Sequence, residues 1–414
     1  MATRQPASIA SSSDDDEATI HEATIHRLRG NIPVDCEFAR VAAVKFRNML
    51  RRCGTDKTFV GALGAYNGQQ AVQYIKAGLR AVYVSGWQVA AANNTASEMY
   101  PDMGLYPVDS VPRVVKDIVR SLRRADQVDG LRPLPKPASP DYWAPIIADG
   151  ESGFGGPLHA FELALHLIEA GSAAVHFEDQ ASHERKCGHL GGKVLVPTDH
   201  MIRVLRAVRL ATNVARTETI VIARTDAESA KYIVSDVDPT DAPFIDRSKP
   251  RTAEGYYHYR SGFSACVQRA LAFAPYADML WFETSRPCYE EAEHFARIIH
   301  SRYPGKWLAY NCSPSFRWRE NMEAPHLETF QQRLASCGYV FQFVTLAGYH
   351  ATNHATYRLA KDYSKKGMHA YSILQEAEFT DAHYTAGDHQ TEAGVAYFDA
   401  VAQAIGGGST FALR

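Results

Sequence analysis

The chain of 414 residues lacks most of the features that mark special classes of protein. No apolar run reaches the ~18 residues that a membrane-spanning helix needs. The formal net charge is only −2, so nothing favours a polyanion or a charged membrane surface as a partner. The seven cysteines are scattered and form no Cys-x-x-Cys pair, which argues against zinc ribbons and disulfide scaffolds. We therefore expect a cytoplasmic protein, in a reducing compartment, that binds neither nucleic acid nor membrane.

The N-terminal segment also lacks targeting features. It has no apolar core of the secretory type, and the acidic block SSSDDDE at 11–17 argues against a mitochondrial presequence. The next segment, EATIHEATIH at 17–26, is a five-residue unit written twice. We predict a disordered tail, acidic and rich in serine, over 1–26. The last residues, TFALR, are not a peroxisomal address.

Short apolar runs alternate with helical patterns from residue 58 onward. Eight of these runs have the length of strands buried on both faces of a parallel sheet: 58–65, 81–87, 144–150, 173–179, 220–226, 279–285, 307–313 and 341–347. Between them, apolar residues recur every three or four positions, as expected of helices. Eight strand–helix units predict an α/β fold, a closed (β/α)8 barrel of the TIM type. An open doubly wound sheet is the alternative.

The chain continues well beyond the last predicted strand. Residues 350–379 have the pattern of one or two long helices, which a barrel does not need. We predict a catalytic barrel over 27–348 and a C-terminal helical extension over 349–414. The extension is expected to pack outside the barrel or to be exchanged between subunits.

Most of the predicted strands end in a polar or charged residue. These ends are Ser85, Asp149, Glu178, Arg224, Glu283, Asn311 and Thr345. Because the carboxyl ends of all barrel strands meet at one mouth, we expect these side chains to converge on one site. The site is rich in acids: Asp102, Asp149, Glu151, Glu178, Asp179 and Asp226. Oxygen ligands without clustered Cys or His suit Mg²⁺ or Mn²⁺. Alternatively, the acids cap helices or pair with Arg and Lys.

The same predicted mouth carries groups that bind anions. Arg224 can hold a carboxylate through two parallel hydrogen bonds. The segments SGW at 85–87 and NCSPS at 311–315 add hydroxyl, amide and backbone donors. These groups suit a small polyanionic acid beside a metal ion. For Ser313 and Ser315 alone, a simple turn is the alternative interpretation.

One cysteine has an unusual setting. Cys187 lies in the segment ERKCGHLGG at 184–192, between Arg185, Lys186 and His189. We expect these neighbours to favour the thiolate and to lower the pKa of Cys187. Such a thiol can act as a proton donor or acceptor, or as a nucleophile. The two glycines that follow suggest a mobile loop, 184–193, that closes over substrate. The alternative is an incidental loop cysteine.

Several segments carry a family resemblance. The segment KCGHLGGKVLVPT at 186–198 resembles the signature of the isocitrate lyases, within the isocitrate lyase/PEP mutase superfamily. Further segments resemble the family in family order: SGWQVAA at 85–91, YPD at 100–102, FEDQ at 177–180, IARTDA at 222–227, AYNCSPSF at 309–316 and TLAG at 345–348. The resemblance covers about 27–405, and the form CGHLGG is similar to bacterial-type members.

The resemblance implies an activity. It implies a Mg²⁺-dependent carbon–carbon lyase, with Mn²⁺ possible, that cleaves isocitrate to glyoxylate and succinate by a retro-aldol step. This is the reaction of the glyoxylate bypass, linked to the tricarboxylic acid cycle. A 2-methylisocitrate lyase of the methylcitrate cycle is an alternative, since one methyl group changes pocket affinity by only ~1–3 kcal/mol. A catalytically weakened barrel, retained as a binding or structural oligomer, is another. The family also implies a homotetramer with exchanged terminal helices.

The resemblance assigns roles to residues by motif. Cys187 is the thiol that protonates the departing carbanion, and Tyr83 is the base that takes the hydroxyl proton. His176 and Glu283 support the site. Asp149 is the direct metal ligand, while Asp102, Glu151 and Glu178 hold metal-bound waters. The implied substrate-binding residues are Ser85, Gly86, Trp87, Gly188, His189, Arg224, Asn311, Ser313, Ser315 and Thr345.

The chain departs from the family pattern in a few places. Arg317 stands where the family usually has Asn, and its position beside the serines of 313–315 suggests an effect on substrate affinity or preference. Asp388 and Thr391 stand where Lys and Arg are usual, which reverses a charge among the C-terminal contacts. Ser152 replaces a usual Ala.

Overall fold

The structure is a computed structural model that describes residues 20–131 and 140–406. The strands are β1 (Val60–Gly64), β2 (Ala81–Val84), β3 (Ile146–Asp149), β4 (Ala174–Glu178), β5 (Val194–Leu195), β6 (Ile220–Thr225), β7 (Tyr232–Ile233), β8 (Ile245–Asp246), β9 (Tyr257–Tyr259), β10 (Met279–Phe282), β11 (Trp307–Asn311) and β12 (Tyr339–Val344).

Helices follow most of these strands. They are α1 (Glu22–Arg29), α2 (Glu37–Asp56), α3 (Gly68–Lys76), α4 (Gly86–Ala92), α5 (Ser110–Gly130), α6 (Pro157–Ala170), α7 (Thr198–Ala215), α8 (Phe263–Phe273), α9 (Tyr289–Arg302), α10 (Trp318–Asn321), α11 (Ala324–Ser336), α12 (Ala347–Lys366), α13 (Met368–Thr380), α14 (His389–Ala393) and α15 (Val395–Ala404). Short 3-10 helices cover Ser182–Glu184 and Ala242–Phe244. None of the described helices combines the length and the apolar character that crossing a membrane requires.

Eight parallel strands form a closed barrel. Around the barrel they run β1, β2, β3, β4, β6, β10, β11 and β12. The ring closes because β1 pairs with β12, with Val60 opposite Phe341 and Leu63 opposite Val344. The predicted (β/α)8 barrel is therefore confirmed, and the open doubly wound alternative is wrong.

The alternation of side chains along each strand builds two apolar layers. In β2, Tyr83 points into the barrel, whereas Val82 and Val84 pack against the surrounding helices. Helix α2 closes the amino-terminal mouth, since Phe46 packs edge-on against Phe341 at 5.5 Å. Because apolar side chains fill that end of the barrel, we expect the functional groups at the carboxyl-terminal mouth.

A second, small sheet lies beside the barrel and was not predicted. Its strand order is β5, β7, β9 and β8, with β5 parallel to β7 and the other pairs antiparallel. Strand β5 begins directly after loop 184–193, so the sheet anchors the end of that loop. Strands of two or three residues are too short to produce a recognisable hydrophobic period.

The two ends of the chain differ from a bare barrel. The predicted tail, 1–26, lies mostly outside the described residues, and from Glu22 onward it forms α1. Arg29 of α1 donates to the carbonyls of Asn213 and Val214 at the end of α7. At the other end, α12 and α13 each bury a single residue, Gly348 and Ala370.

Candidate active site

A cavity opens at the carboxyl ends of the barrel strands. Most of the predicted site residues line it: Tyr83, Ser85, Trp87, Asp102, Asp149, Cys187, Gly188, His189, Arg224, Glu283, Asn311, Ser313, Ser315 and Thr345. Gly86, Glu151, His176 and Glu178 lie directly behind these residues. Arg185 and Leu346 complete the lining. The strand ends thus converge as the sequence predicted.

Arg185 lies at the centre of the carboxylate cluster. Its guanidinium forms ion pairs with Asp102 and Glu151, and with Glu178 at 2.9 Å. Burial raises the pKa of Glu178 to about 7 and that of Glu151 well above its usual value, and Arg185 opposes both changes. Within the described residues, no three His, Cys, Asp or Glu side chains are arranged as the ligands of a metal ion. The arginine neutralises the acids instead.

The donor chemistry of the cluster nevertheless fits a divalent cation. Asp102, Asp149, Glu151 and Glu178 are all buried, and all offer the hard oxygen ligands that Mg²⁺ and Mn²⁺ prefer. In the described structure, Oε2 of Glu151 and Oε2 of Glu178 have no hydrogen-bond partner, although guanidinium groups lie close to both. A cation and the guanidinium of Arg185 repel each other, so metal binding requires Arg185 to leave these carboxylates.

Tyr83, His176 and Asp149 form a buried row on neighbouring strands. The Tyr83 hydroxyl lies 2.8 Å from Nε2 of His176, which lies 3.6 Å from Asp149. Asp149 accepts backbone N–H groups of Gly86 and Glu151, both at 2.9 Å. Burial raises the pKa of Tyr83 well above its usual value, and Asp149 adds to the increase. Tyr83 therefore keeps its proton at neutral pH in the free protein, and its role as the base stays a prediction.

His176 and Asp149, the other two members of this row, differ in what sets their charge states. Burial lowers the pKa of His176 to about 4, so the imidazole is neutral. For Asp149, burial favours the neutral form, but His176, Arg185 and the two backbone donors together hold the pKa below its usual value. Asp149 is therefore a carboxylate, as its predicted role as metal ligand requires.

Cys187 lies in the cavity, but its charge state is not the one predicted. Burial raises the pKa of its thiol to about 12, and the carboxylate of Asp102 adds to this increase. Arg185 lowers it only partly because its guanidinium is engaged by carboxylates, and the ammonium of Lys186 points to the carbonyl of Gly192 at 3.3 Å. The predicted lowering of this pKa is wrong for the structure, and the thiol is protonated at neutral pH.

Arg224 is fixed for anion binding from two sides. Its guanidinium lies over the ring of Trp281, 4.5 Å from the centroid, and donates to Asp226 at 3.0 and 3.1 Å. Burial would raise the pKa of Asp226, but Arg224 and Lys193 outweigh it and hold that pKa far below its usual value. Asp226 is thus a permanent partner of Arg224, which matches the alternative that some of the acids pair with Arg and Lys. Asp179, paired with Arg269 at 2.9 Å, is another such acid.

The polar residues from β10 and β11 form a connected group. The side-chain amide of Asn311 donates to Glu283 at 3.0 Å, and His189 lies 3.4 Å from the same carboxylate. The hydroxyl of Ser313 accepts the backbone N–H of Ser315 at 3.1 Å. The two serines therefore form the turn of the alternative interpretation, and both also line the cavity, while their binding of a substrate stays a prediction.

The residues that depart from the family pattern lie away from the cavity lining. Arg317 is 77% exposed and pairs with Glu320 at 3.0 Å, so the expected effect on substrate is not supported by a contact. Asp388 caps α14 by accepting the backbone N–H of Thr391 at 3.2 Å. Ser152 donates to Ser182 at 3.2 Å.

Some functional neighbours were missed at the level of sequence. The Tyr106 hydroxyl donates to Glu151, and Gln180 and Lys193 contact the backbone of loop 184–193. Both Gln180 and Lys193 belong to quoted family segments, FEDQ and KCGHLGGKVLVPT. Their partners are backbone atoms, which no sequence pattern reveals.

Solved structures with the same architecture define the class of the barrel. The chain superposes on oxaloacetate acetylhydrolase in complex with 3,3-difluorooxalacetate with a TM-score of 0.61 and 20% identity, covering 92% of this chain and 100% of that one. It superposes on 2,3-dimethylmalate lyase with a TM-score of 0.58 and 22% identity, covering 88% and 96%. The latter protein is described as a PEP mutase/isocitrate lyase superfamily member, and the chain shares its fold.

The sequence comparisons narrow this class to one family. The isocitrate lyase family model matches residues 17–249 and 244–413, and the chain belongs to that family. It is 52% identical over 386 residues to an isocitrate lyase of Halalkalibacterium halodurans, covering 93% of this chain and 88% of the relative. It is 49% identical over 391 residues to that of Escherichia coli K12, covering 93% and 89%. It is 47% identical over 381 residues to isocitrate lyase 1 of Mycobacterium tuberculosis, covering 91% and 87%.

Proposed function

We propose that the protein is an isocitrate lyase that cleaves isocitrate to glyoxylate and succinate. The observation that supports the proposal is the cavity, whose lining includes the thiol of Cys187, the buried carboxylates of Asp102 and Asp149, and Arg224. The relatives named isocitrate lyase are about half identical to the chain over almost its whole length. We further propose that the enzyme serves the glyoxylate bypass.

The cavity contains the groups that a retro-aldol cleavage needs. The substrate hydroxyl loses its proton, the bond between C2 and C3 breaks, and the electron pair stays on the carbon that becomes part of succinate. That carbon must then receive a proton, and a protonated Cys187 is the donor that we assign. Tyr83 stays the predicted base: it can take the proton of the substrate hydroxyl as it passes its own proton to the neutral imidazole of His176, whose Nε2 lies 2.8 Å away.

The substrate carboxylates are bound by the other side of the cavity. Arg224 is charged and already oriented by Trp281 and Asp226, so little rotamer entropy is lost when it binds. We propose that the hydroxyls of Ser313, Ser315 and Thr345 and the amide of Asn311 complete the carboxylate contacts. Ser85, Gly86, Trp87, Gly188 and His189 form the remaining walls, and Glu283 holds Asn311 and His189 in place.

We propose Mg²⁺, with Mn²⁺ as the alternative, as the cofactor of the carboxylate cluster. Asp149 would hold the ion directly, and Asp102, Glu151 and Glu178 would hold it through water. When bound, such an ion supplies the positive charge that polarises the oxygen of the forming glyoxylate. The residues of the chain bind and orient the substrate and move the proton at Sγ of Cys187.

The surroundings of the enzyme are also part of the proposal. All seven cysteines are free thiols, which supports the predicted reducing compartment, the cytoplasm. Helices α12 and α13 carry large exposed apolar side chains, among them Tyr357, Met368 and Phe379, each more than 60% exposed. A second copy of the chain would cover this face, which supports the predicted homotetramer.

An assay with purified protein tests the activity. We expect glyoxylate to appear from isocitrate with Mg²⁺, to disappear with EDTA, and to return with added Mg²⁺. A parallel assay with 2-methylisocitrate compares kcat/KM for the two substrates. Absence of glyoxylate at millimolar isocitrate, with the protein folded, would overturn the proposed activity.

The substitution Cys187→Ser tests the role of the thiol. Serine is a far weaker acid than a thiol, so kcat should fall by at least about 10²-fold, the usual contribution of a positioned acid, while the melting temperature stays unchanged. Cys288→Ser is the matched control, since Cys288 lies outside the cavity lining. If the Cys187→Ser protein turns over at the normal rate, the thiol is not the proton donor.

A further inference from the structure

The backbone on both sides of Cys187 is held by buried side chains that are not part of the cavity lining. We call residues 184–193 the thiol loop. Within it, the N–H of Cys187 donates to the carbonyl of Asp102 at 2.9 Å, and the carbonyl of Cys187 accepts the N–H of Leu190 at 2.8 Å. The second bond closes a tight turn at the thiol, and the first ties this turn to Asp102 in the cavity lining, whereas the residues on either side of Cys187 are held by other groups.

Gln180 holds the residue before the cysteine. Its side-chain oxygen accepts the N–H of Lys186 at 3.1 Å, and its side-chain nitrogen donates to the carbonyl of Lys186 at 2.8 Å. The same nitrogen also donates to Glu178 at 3.1 Å. Gln180 is 1% exposed, so water does not compete for these bonds. The side-chain amide of Gln180 thus pairs with both backbone groups of Lys186, as a residue of a neighbouring strand would.

Lys193 holds the residue after the cysteine. Its ammonium donates to the carbonyl of Gly188 at 2.8 Å and to Asp226 at 2.8 Å. The side chain is fully buried, and the carbonyl of Lys193 accepts the N–H groups of Lys231 and Tyr232. The backbone of Lys193, the last residue of the thiol loop, is thus bound to β7 of the small sheet. Its side chain can therefore hold Gly188 in a fixed position.

Lys193 also links the thiol loop to the anion-binding side of the cavity. Asp226 accepts hydrogen bonds from Lys193 and from Arg224. Gly188 lies so close to Arg224 that a Cβ at this position would come within 2.6 Å of its Nη2. The chain of contacts from Gly188 through Lys193 and Asp226 to Arg224 therefore sets the distance between the thiol and a carboxylate held by Arg224.

We propose that Gln180 and Lys193 are positioning residues that fix the backbone at Lys186 and Gly188 and thereby aim Cys187 at the reacting carbon. The inference rests on the proposed function, because it concerns the proton transfer of that reaction. Neither side chain lines the cavity. Gln180 and Lys193 affect the rate of proton transfer only through the position of Cys187. Displacing a catalytic group by about 1 Å lowers the rate on the order of 10²-fold.

The first test uses Lys193→Met, which keeps the length of the side chain and removes the donor. We expect kcat for isocitrate to fall by at least about tenfold with KM little changed, since the substrate contacts remain. We also expect Cys187 to react several times faster with iodoacetamide. Mass spectrometry of the tryptic peptide that begins at Cys187 measures this rate separately from the other cysteines.

Lys306→Met is the matched control. Lys306 also donates from a partly buried ammonium to two backbone carbonyls, those of Ala274 and Ala277, both at 2.8 Å. It lies directly before β11, at the mouth of the barrel opposite the cavity. Its replacement loosens the fold by a similar loss of bonds, yet should leave kcat and the alkylation of Cys187 unchanged. If Lys306→Met exposes Cys187 as much as Lys193→Met does, the positioning role is overturned.

Gln180→Met provides a second variant that changes no charge. It should likewise lower kcat more than it changes KM and should accelerate the alkylation of Cys187, with thermal unfolding as the check that it is folded. If the wild-type protein cleaves isocitrate and both folded variants show normal alkylation of Cys187 and normal kcat, the positioning role is overturned. If the wild-type protein does not cleave isocitrate but both variants expose Cys187, the proposed function fails and the positioning role remains.

Discussion

The pKa of Cys187 shows that residues adjacent in sequence need not interact in the folded protein. Arg185 and Lys186 flank Cys187, and from their charge a lowered thiol pKa is the natural expectation. In the structure Arg185 turns to three carboxylates and Lys186 turns to the carbonyl of Gly192. Burial then dominates the pKa of Cys187 and raises it. Residue types predicted which side chains meet, but the charge state depends on side-chain direction and burial.

Another residue, Asp278, ties three elements together at the opposite mouth of the barrel. Its carboxylate contacts Arg47 of α2 at 3.3 Å and Arg209 of α7 at 2.5 Å, and accepts the N–H of Val221 in β6 at 2.8 Å. Burial would raise its pKa, but the two arginines and the backbone donor outweigh burial and hold the pKa below the usual value. The ionised form is therefore the one that stabilises the fold.

We predict that Asp278→Asn lowers the free energy of unfolding by about 1–3 kcal/mol at pH 7, because the partly buried guanidinium groups of Arg47 and Arg209 lose a charged partner. Since folding lowers the pKa of Asp278, its contribution is complete above the unfolded value of about 3.9 and is lost as pH falls through the lower folded value. The difference between the wild-type and variant proteins should thus be constant near neutrality and shrink below about pH 4. Urea unfolding at fixed protein concentration and several pH values measures it.

Asp199→Asn is the control for this prediction. Asp199 is 69% exposed and lies 3.6 Å from Arg203, so its replacement should change stability by less than about 0.5 kcal/mol. A deficit of Asp278→Asn that is as large at pH 3 as at pH 7 would show that packing, and not charge, is responsible.

At the scale of elements, length decided which strands could be predicted. The barrel strands are four to six residues long and buried on both faces, so their apolar runs stand out from the turns around them. The small sheet has strands of two or three residues, which carry no period and were missed. The helices after the barrel were predicted from the sequence pattern of 350–379. In the structure, the break between α12 and α13 falls at Gly367, where φ is 53°.

Two helices end at a residue that is poorly suited to its backbone conformation. The residue after α2 is Lys57, with φ 55° and ψ 39°, and the residue after α7 is Arg216, with φ 56° and ψ 46°. Both conformations are left-handed, a region that glycine adopts without the clash of a Cβ. Both side chains are exposed, so their replacement removes little packing.

We predict that Lys57→Gly and Arg216→Gly each raise the free energy of unfolding by up to about 1 kcal/mol, because the left-handed conformation is strained for a residue with a Cβ. Ala77→Gly, after α3, is the opposite control: φ there is −76°, so glycine only adds freedom to the unfolded chain and should destabilise. Denaturant titration measures all three, and a common sign would refute the explanation.

At the scale of the whole molecule, the C-terminal extension is the part that leaves large apolar side chains exposed. In α13, Met368, Ile373 and Phe379 are each about 60% exposed, and only Ala370 of this helix is buried. Large apolar areas of this kind on a monomer mark surfaces that another protein covers. The barrel could be predicted from its eight repeated strand–helix units. A surface that binds a partner could not, because the sequence does not show which apolar side chains stay exposed.

We predict that the protein sediments as a homotetramer and that Phe379→Glu shifts it to smaller species, because a charge would have to be buried in the subunit contact. Val237→Glu is the control, since Val237 is 80% exposed in the connection between β7 and β8. Sedimentation velocity distinguishes the species. A monomeric wild-type protein would contradict the prediction directly, and a Phe379→Glu protein of unchanged size would place the contact elsewhere.

The pairing of β1 with β12 has a consequence for how the protein is made. The first strand finds one of its two partners only after nearly all of the barrel has been translated, since Val60 pairs with Phe341. Until then the nascent sheet has two free edges, and such edges can pair with other chains. Contacts between residues so distant along the chain also form slowly. The nascent chain can therefore misassemble until β12 has been synthesised. We expect its yield in cells to depend on chaperones that bind the incomplete sheet.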